Sequence, residues 1–425
     1  MGRLATLRGG SLVGAALAIL FSVNTVFIIV FSAAGVAGNS TFSGLFLVSC
    51  EAAILISSFR SIRLIHLDYL FGGLVLAVTA SFAMNGLTAG IKETAIFVVS
   101  LAAYPVCRSV IPTDRMRMSF GFTSLLIATI GAFATVYAIY EQWPVPEGKP
   151  IVFGNDAAGT HFLTALAFFV IAVTTQELTK KQAVLGSALL FVTSAVFAAA
   201  LVRFTFASLL LTLGLCWLLS ARKQRVYISM ITASILFGAA FGTLVRLDKI
   251  PVLVGFMTEK TVYRSKTLPP PAALPASKLR DGSLPSCLME VNMKNSFAER
   301  KALWQDSFYL IPRSGLFGFG LDGFMKYSCM RGFPPHNSIF QALIEFGWLG
   351  GIALSAMIAI SFIRLVPTAA FDDSERFIVC ALAFAVIVSL AHGRLSRDFV
   401  LFSTLGLAAS VLAGPPRDAS GEHPT

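Results

Sequence analysis

Leu, Phe, Ala, Val and Ile recur along this sequence in runs of roughly 17–25 residues, the length at which an α-helix crosses the hydrocarbon core of a bilayer. No other feature restricts the fold as strongly. Inside lipid each backbone N–H and C=O must be paired within its own segment, so these runs have to be helices. Charged residues make up 13% of the chain and hydrophobic residues 56%, with a mean hydropathy of +0.77. A soluble domain carries roughly 25% charged residues. The expectation is therefore an all-α polytopic membrane protein.

Twelve spans are expected, near 11–35, 41–59, 68–88, 93–110, 119–140, 160–177, 183–201, 205–220, 226–245, 338–363, 377–392 and 399–414. Arg3 and Arg8 precede the first, which is too long for the apolar core of a signal peptide and reads as a retained span. An even number of spans puts both termini on one side. Lys and Arg in short loops then set the orientation. With a cytoplasmic N-terminus, the short outer loops hold 5 of them: Lys92, Lys149, Arg203, Arg394 and Arg397. The inner side holds 15, which predicts N-in and C-in. Residues 1–245 carry spans 1–9, 246–337 form one long outer loop between spans 9 and 10, 338–414 carry spans 10–12, and 415–425 form a cytoplasmic tail.

The long loop has 13 Lys/Arg and 7 Asp/Glu. Such an excess suits an anionic partner on the outer face, or is simply solvated. The partners expected are the bilayer and an anionic substrate, not nucleic acid. The six cysteines show no CxxC pair and no metal-type spacing with histidine. Cys287 and Cys329 share the outer loop, where an oxidising compartment permits a disulfide. The other four lie in or beside spans and read as packing residues.

Within the loop, "TLPPPAALPASKLRDGSLPS" (267–286) reads as an irregular tip. "NSFAERKALWQDSFYLIP" then reads as an amphipathic helix near 296–311. Ser296 and Glu299 fit a capping box, and Pro312 ends the helix. Phe297, Trp304, Phe308 and Ile311 form an apolar stripe for lipid or for the bundle. Arg300 falls one turn before Trp304, at the stripe's edge. "GFGLDG" (Gly318–Gly323) matches a dinucleotide fingerprint only by spacing. It lacks the preceding strand and the βαβ setting, so its glycines read as sharp turns at the membrane surface.

The stretch "FPPHNSIFQALIEFGWLGG" (Phe333–Gly351) joins the polar loop to the tenth span. Ser338 and Gln341 fit a second capping box, which puts His336 just outside a helix N-terminus. Free N–H groups and the positive dipole end gather there. That setting favours phosphate or carboxylate, and a neutral imidazole beside it suits a general base. The competing reading is a histidine that merely ends a loop. Arg203, in "LVRFTFASLLL", is either a snorkelling end residue or a cation for an anionic headgroup. Glu345 lies one turn inside the tenth span and calls for a partner. Arg394 and Arg397 add outer cations beside His392. No outer Asp pair or His/Cys cluster has metal-ligand spacing, so no metal and no cofactor is expected. The cations suit a diphosphate held by guanidinium forks at the membrane boundary.

These pieces resemble a known family. "PPHNSIFQALIEFGWLGG" is similar to the HN-x-x-x-Q-x-x-x-E-x-G-x-x-G signature of the O-antigen ligase and polymerase superfamily. "ERKALWQDSFYLIPRSGLFGFGLDGF" resembles its preceding R-x-x-x-W…P-x-x-G-x-G block. "ALVRFTFASLLL" lies where that family opens a span with an arginine, and "VFGNDAAGTHFLTAL" echoes an Asn-containing motif. The resemblance covers roughly 195–355. It implies a metal-independent GT-C-type glycosyltransferase of the bacterial inner membrane. The donor would be an undecaprenyl-diphosphate-linked glycan on the periplasmic face, and the acceptor a sugar hydroxyl on a lipid anchor, attacking with inversion. Carried over to this chain, Arg203 and Arg300 would clamp the diphosphate and His336 would orient or deprotonate the acceptor. Asn337, Gln341, Glu345, Arg394 and Arg397 would complete the substrate site. The expected activity is O-antigen ligase, with lipid A-core as acceptor. The alternatives are a polymerase of lipid-linked repeats and, from a different class, a transporter or flippase for a lipid-linked glycan.

Overall fold

The computed structural model describes residues 2–33, 40–58, 63–143, 149–247, 255 and 295–414. Among them the protein is helical, and the only extended pairing is an isolated bridge between Val152 and Asn155. The helices are α1 (Gly2–Phe21), α2 (Val23–Ala33), α3 (Ser40–Ser58), α4 (His66–Asn85), α5 (Ile91–Arg108), α6 (Asp114–Glu141), α7 (Ala158–Thr174), α8 (Lys180–Ala199), α9 (Phe204–Leu219), α10 (Arg222–Leu244), α11 (Ser296–Leu310), α12 (Gly323–Tyr327), α13 (Ser338–Glu345), α14 (Gly347–Ala369), α15 (Asp373–His392) and α16 (Phe399–Leu412). Each of the twelve expected spans falls on helix. Six are long and apolar enough to cross a bilayer: α4, α6, α8, α10, α14 and α15. The α1–α2 pair makes a seventh if counted as one, while α7, α9, α16 and the apolar part of α3 are shorter. Several such helices mark a multi-pass membrane protein.

Two expected spans are not continuous. The first bends by 81° at Ser22. There "SVNT" replaces the surrounding apolar run, and Thr25 donates its hydroxyl to the His161 carbonyl at 2.9 Å. The tenth breaks at Phe346, between α13 and α14. The carbonyls exposed by that break do not lack donors: the N–H of Phe319 reaches the Ile344 carbonyl at 3.0 Å, and that of Gly320 reaches the Glu345 carbonyl at 2.9 Å. The "GFGLDG" glycines therefore serve backbone approach. A Cβ on Gly318 would lie 2.2 Å from the Glu345 carbonyl oxygen, and one on Gly347 would lie 2.3 Å from that of Leu316. Both have positive φ, which glycine adopts without strain. Phe346 fills the break, fully buried and stacked on Phe97 at 5.1 Å.

Neither expected capping box forms; at both helices the cap is an asparagine one residue earlier. Asn295, not Ser296, caps α11, accepting from the N–H groups of Phe297 and Ala298. Asn337, not Ser338, caps α13, accepting from the Phe340 N–H. Asparagine's carbonyl oxygen satisfies the free N–H groups as a serine hydroxyl does, and the sequence offered both residues side by side. The α11 helix buries Ala298, Ala302, Leu303, Asp306 and Leu310. Phe297, Trp304 and Phe308 stay exposed, with Phe308 and Trp304 also touching Phe340 of α13 edge-on. Cys329 is disulfide-bonded, and Cys287 lies outside the described residues. The other four cysteines are buried and free.

Candidate functional site

The site forms where the α6–α7 connection, the α8–α9 turn, α11, the α13 start and the α15 end meet. The α8–α9 turn is built first. Buried Arg246 donates to the Ala199 carbonyl at 3.1 Å, satisfying the end of α8, a favourable place for a cation. Leu201 then adopts φ +59, and Arg203 stands exposed at the N-cap of α9. From the other side, α11 presents Arg300. Its Nη2 lies 3.2 Å from both ring nitrogens of His392. The guanidinium also sits 6.0 Å over the Phe204 ring, and Phe204 meets His392 edge-on at 4.9 Å. A cavity of about 550 Å³ opens here, lined by Arg203, Phe204, Lys149, Asn295, Arg300 and His392.

His336 follows Pro335 and precedes the capping Asn337. Its φ is +52, an uncommon conformation for a residue with a side chain. Its Nε2 faces Glu299 Oε1 at 3.6 Å. A second cavity of about 360 Å³ holds His336, His161, Lys149, Arg394 and Arg397, together with Ser22, Asn24 and Thr25 from the first-span bend. Lys149, Thr160, Thr205 and His392 line both cavities. Among the described residues four non-glycines have positive φ: Phe153, Leu201, Asp322 and His336. Each lies in a segment that leads into the site. Such conformations cost about 1–3 kcal/mol each and persist where surroundings enforce them.

The expected cations divide into two classes. Arg394 pairs with Glu93 at 2.9 Å and Asp322 at 3.4 Å, and Arg397 pairs with Glu93 at 2.7 Å. Arg203, Arg300 and Lys149, in contrast, make no ion pair with an acid among the described residues. Arg300 is lowered from its ordinary pKa, first by burial and then by Arg203, while Glu299 opposes. Lys149 is lowered by burial, then by Arg203 and Arg300, against the pull of Asp156. Water reaches Lys149 through the cavities, yet enough protein surrounds its ammonium for burial to come first. Cations gathered around one cavity without acid partners are set to receive an anion.

The remaining expected ligands turn inward. Asn337 is buried as a cap. Gln341 donates to Glu345 at 2.9 Å and accepts from the Leu395 N–H at 2.7 Å. Glu345 is fully buried, and neither it nor Gln341 lines either cavity. Their geometry ties α13 to the turn after α15. Ser338 adds a hydroxyl hydrogen bond to Asp398. No group of three His, Cys, Asp or Glu side chains gathers as metal ligands among the described residues.

The model of a family described as O-antigen ligase matches residues 187–355. The chain carries an O-antigen ligase family domain. Members of that family are membrane glycosyltransferase-like enzymes, ligases or polymerases, with lipid-linked glycans as substrates. No curated protein matches the chain. The O-antigen ligase segment contains Arg203, Glu299, Arg300 and His336, whereas Lys149, His161, His392, Arg394 and Arg397 come from outside it.

Several site residues went unread in the sequence. Lys149 counted only as a loop charge, and Glu299 only as half of a capping box. His161 opens a helix that reads as plain span. His392 carries a signal, being the last residue of a span, with Arg394 and Arg397 within the next five positions. Glu93 reads as the polar start of a span, although its carboxylate binds two arginines about 300 positions later.

Proposed function

We propose that this protein transfers a glycan from an undecaprenyl-diphosphate carrier to an acceptor hydroxyl at the outer face of the bacterial inner membrane, as an O-antigen ligase with lipid A-core as acceptor. One observation carries the reading. Two cavities, one ringed by acid-free cations and one holding His336, share a wall at His392 and Lys149. A donor diphosphate in the first would present its anomeric carbon towards an acceptor in the second. Arg203 and Arg300 would bind the phosphate oxygens through guanidinium N–H groups, which match phosphate as planar forks.

The acceptor hydroxyl would lose its proton to His336 as it attacks. The new C–O bond forms on the face opposite the breaking bond to phosphate, giving inversion. The bonding electrons leave on the phosphate oxygen, whose charge the arginines stabilise. Glu299, facing His336, would favour the imidazolium that results. No step calls for a metal. In this reading Arg394 and Arg397 shape the acceptor cavity through Glu93, and Asn337, Gln341 and Glu345 hold the turn that carries His336. A polymerase would use the same chemistry with a different acceptor.

The test is conversion of a labelled lipid-diphosphate glycan by purified protein in detergent, without any ion gradient. Product formed with lipid A-core as acceptor supports the ligase. Product formed only with a second lipid-linked repeat identifies a polymerase. Absence of both, with gradient-dependent movement of the donor in vesicles, identifies a transporter.

A further inference from the structure

We infer that Lys149, from the α6–α7 connection, is a third ligand of the anion held by Arg203 and Arg300, and that it binds the phosphate next to the bond that breaks. The inference rests on the proposed diphosphate site and adds a residue outside the segment matched to the family. Position is the first argument. Lys149 lines the cavity of the two arginines and also the cavity of His336. A group on that shared wall meets whatever passes from one cavity to the other. In a diphosphate donor this is the sugar-side phosphate and its anomeric carbon.

Charge is the second argument. Lys149 has no acid in ion-pair contact among the described residues, and Asp156 acts on it only through its field. Arg394 and Arg397 lie on the same cavity but are already neutralised by Glu93 and Asp322. The cation at the shared wall without an acid partner among the described residues is therefore Lys149. Chemistry is the third. An ammonium is a compact point charge with three rotatable donors, suited to an oxygen whose charge grows as the bond breaks. As the acceptor oxygen bonds to the anomeric carbon, the carbon–oxygen bond to phosphate breaks. Its electron pair stays on the diphosphate beside Lys149, and the acceptor's proton goes to His336.

The experiment uses the full chain in detergent, with inorganic pyrophosphate and inorganic phosphate as probes and thermal unfolding as the readout. Wild-type protein should be stabilised by pyrophosphate more than by phosphate. Lys149→Met should weaken pyrophosphate about tenfold or more, the scale of one lost charge-assisted hydrogen bond. It should also narrow the preference for pyrophosphate over phosphate, which a purely structural role would not do. Lys149→Arg should restore both. Should Lys149→Met not yield folded protein, Lys149→Gln is read in its place. A wild type that ignores pyrophosphate overturns the diphosphate site and the lysine with it. A wild type that responds, with Arg300→Met blind to pyrophosphate and Lys149→Met indistinguishable from wild type, overturns the lysine alone.

Discussion

Arg300 and His392 lie 3.2 Å apart although 92 positions separate them. The contact fixes one edge of the guanidinium against an imidazole and leaves the rest of its fork to the cavity. Lysine keeps the charge there but has no planar fork to span both. Arg300→Lys and Arg300→Ala should therefore both lose on the order of 10²–10³ in turnover, the usual cost of removing a donor from developing charge. Glycan transfer by equal amounts of purified protein measures this. Near-normal activity in Arg300→Ala would make Arg300 an anchor of α11 only.

Much of this arrangement was legible in the sequence, but not all. Arg203 and His336 could be picked out because each stands at a boundary between apolar and polar sequence, and Arg300 because it falls one turn before Trp304 at the edge of an apolar stripe. The starts of α11 and α13 were legible to within a residue, since serine and asparagine are adjacent and either can cap. The break at Phe346 was not, because "FGWLGG" continues apolar after Glu345 with no proline or polar run to stop the helix. What interrupts it is the docking of 315–320, a contact between distant segments. The pairing of Arg394 and Arg397 with Glu93 was hidden for the same reason, and with it the fact that these two cations are already ion-paired.

That docking yields a stability prediction. Gly318 has φ +70, and a Cβ there would overlap the Glu345 carbonyl. The obstacle is backbone, so it cannot swing aside. Gly318→Ala should destabilise the protein by more than about 1 kcal/mol, beyond the ordinary cost of an incompatible φ. Thermal unfolding in detergent reads it. An unchanged transition would mean that 315–320 is not pressed against the helix break.

Asp306 predicts a pH dependence. Its buried carboxylate accepts from the Cys329 N–H at 2.8 Å and the Met330 N–H at 3.4 Å, and burial raises its pKa from 3.8 to about 6. The folded state thus holds the proton more tightly than the unfolded chain. Stability from this group is present below about pH 4 and is lost as pH rises to about 6, by on the order of 3 kcal/mol. Asp306→Asn keeps an acceptor and cannot titrate. The stability of the variant relative to wild type should grow between pH 4 and 6 and then level off. A difference that shrinks over that range would contradict the burial argument.

Chelation tests the proposed chemistry from another side. The phosphate-binding groups in the proposal are two guanidiniums and an ammonium, all supplied by the chain itself. EDTA should leave glycan transfer unchanged. Activity lost to EDTA and restored by Mg²⁺ or Mn²⁺ would remove the arginine clamp as the source of leaving-group stabilisation.

In the proposed reaction His336 is the general base. Its backbone is held at φ +52 between Pro335 and the capping Asn337, and its Nε2 faces Glu299 at 3.6 Å. A loop end with no task could relax out of that conformation, whereas a base must be aimed. His336→Ala should lower turnover by about 10²–10⁴, the range for loss of a general base. Pyrophosphate should bind as before, since the arginines line the other cavity. Glu299→Gln preserves shape but removes the charge facing the imidazole, so it should lower turnover by less and leave the affinity for pyrophosphate unchanged. Single-turnover transfer and pyrophosphate-induced stabilisation, measured on the same preparations, separate these outcomes. If His336→Ala loses pyrophosphate binding yet transfers normally at saturating donor, the histidine is a phosphate ligand. If it changes neither, His336 only ends the loop, and the base must be sought among the other groups of the same cavity, His161 and His392 first.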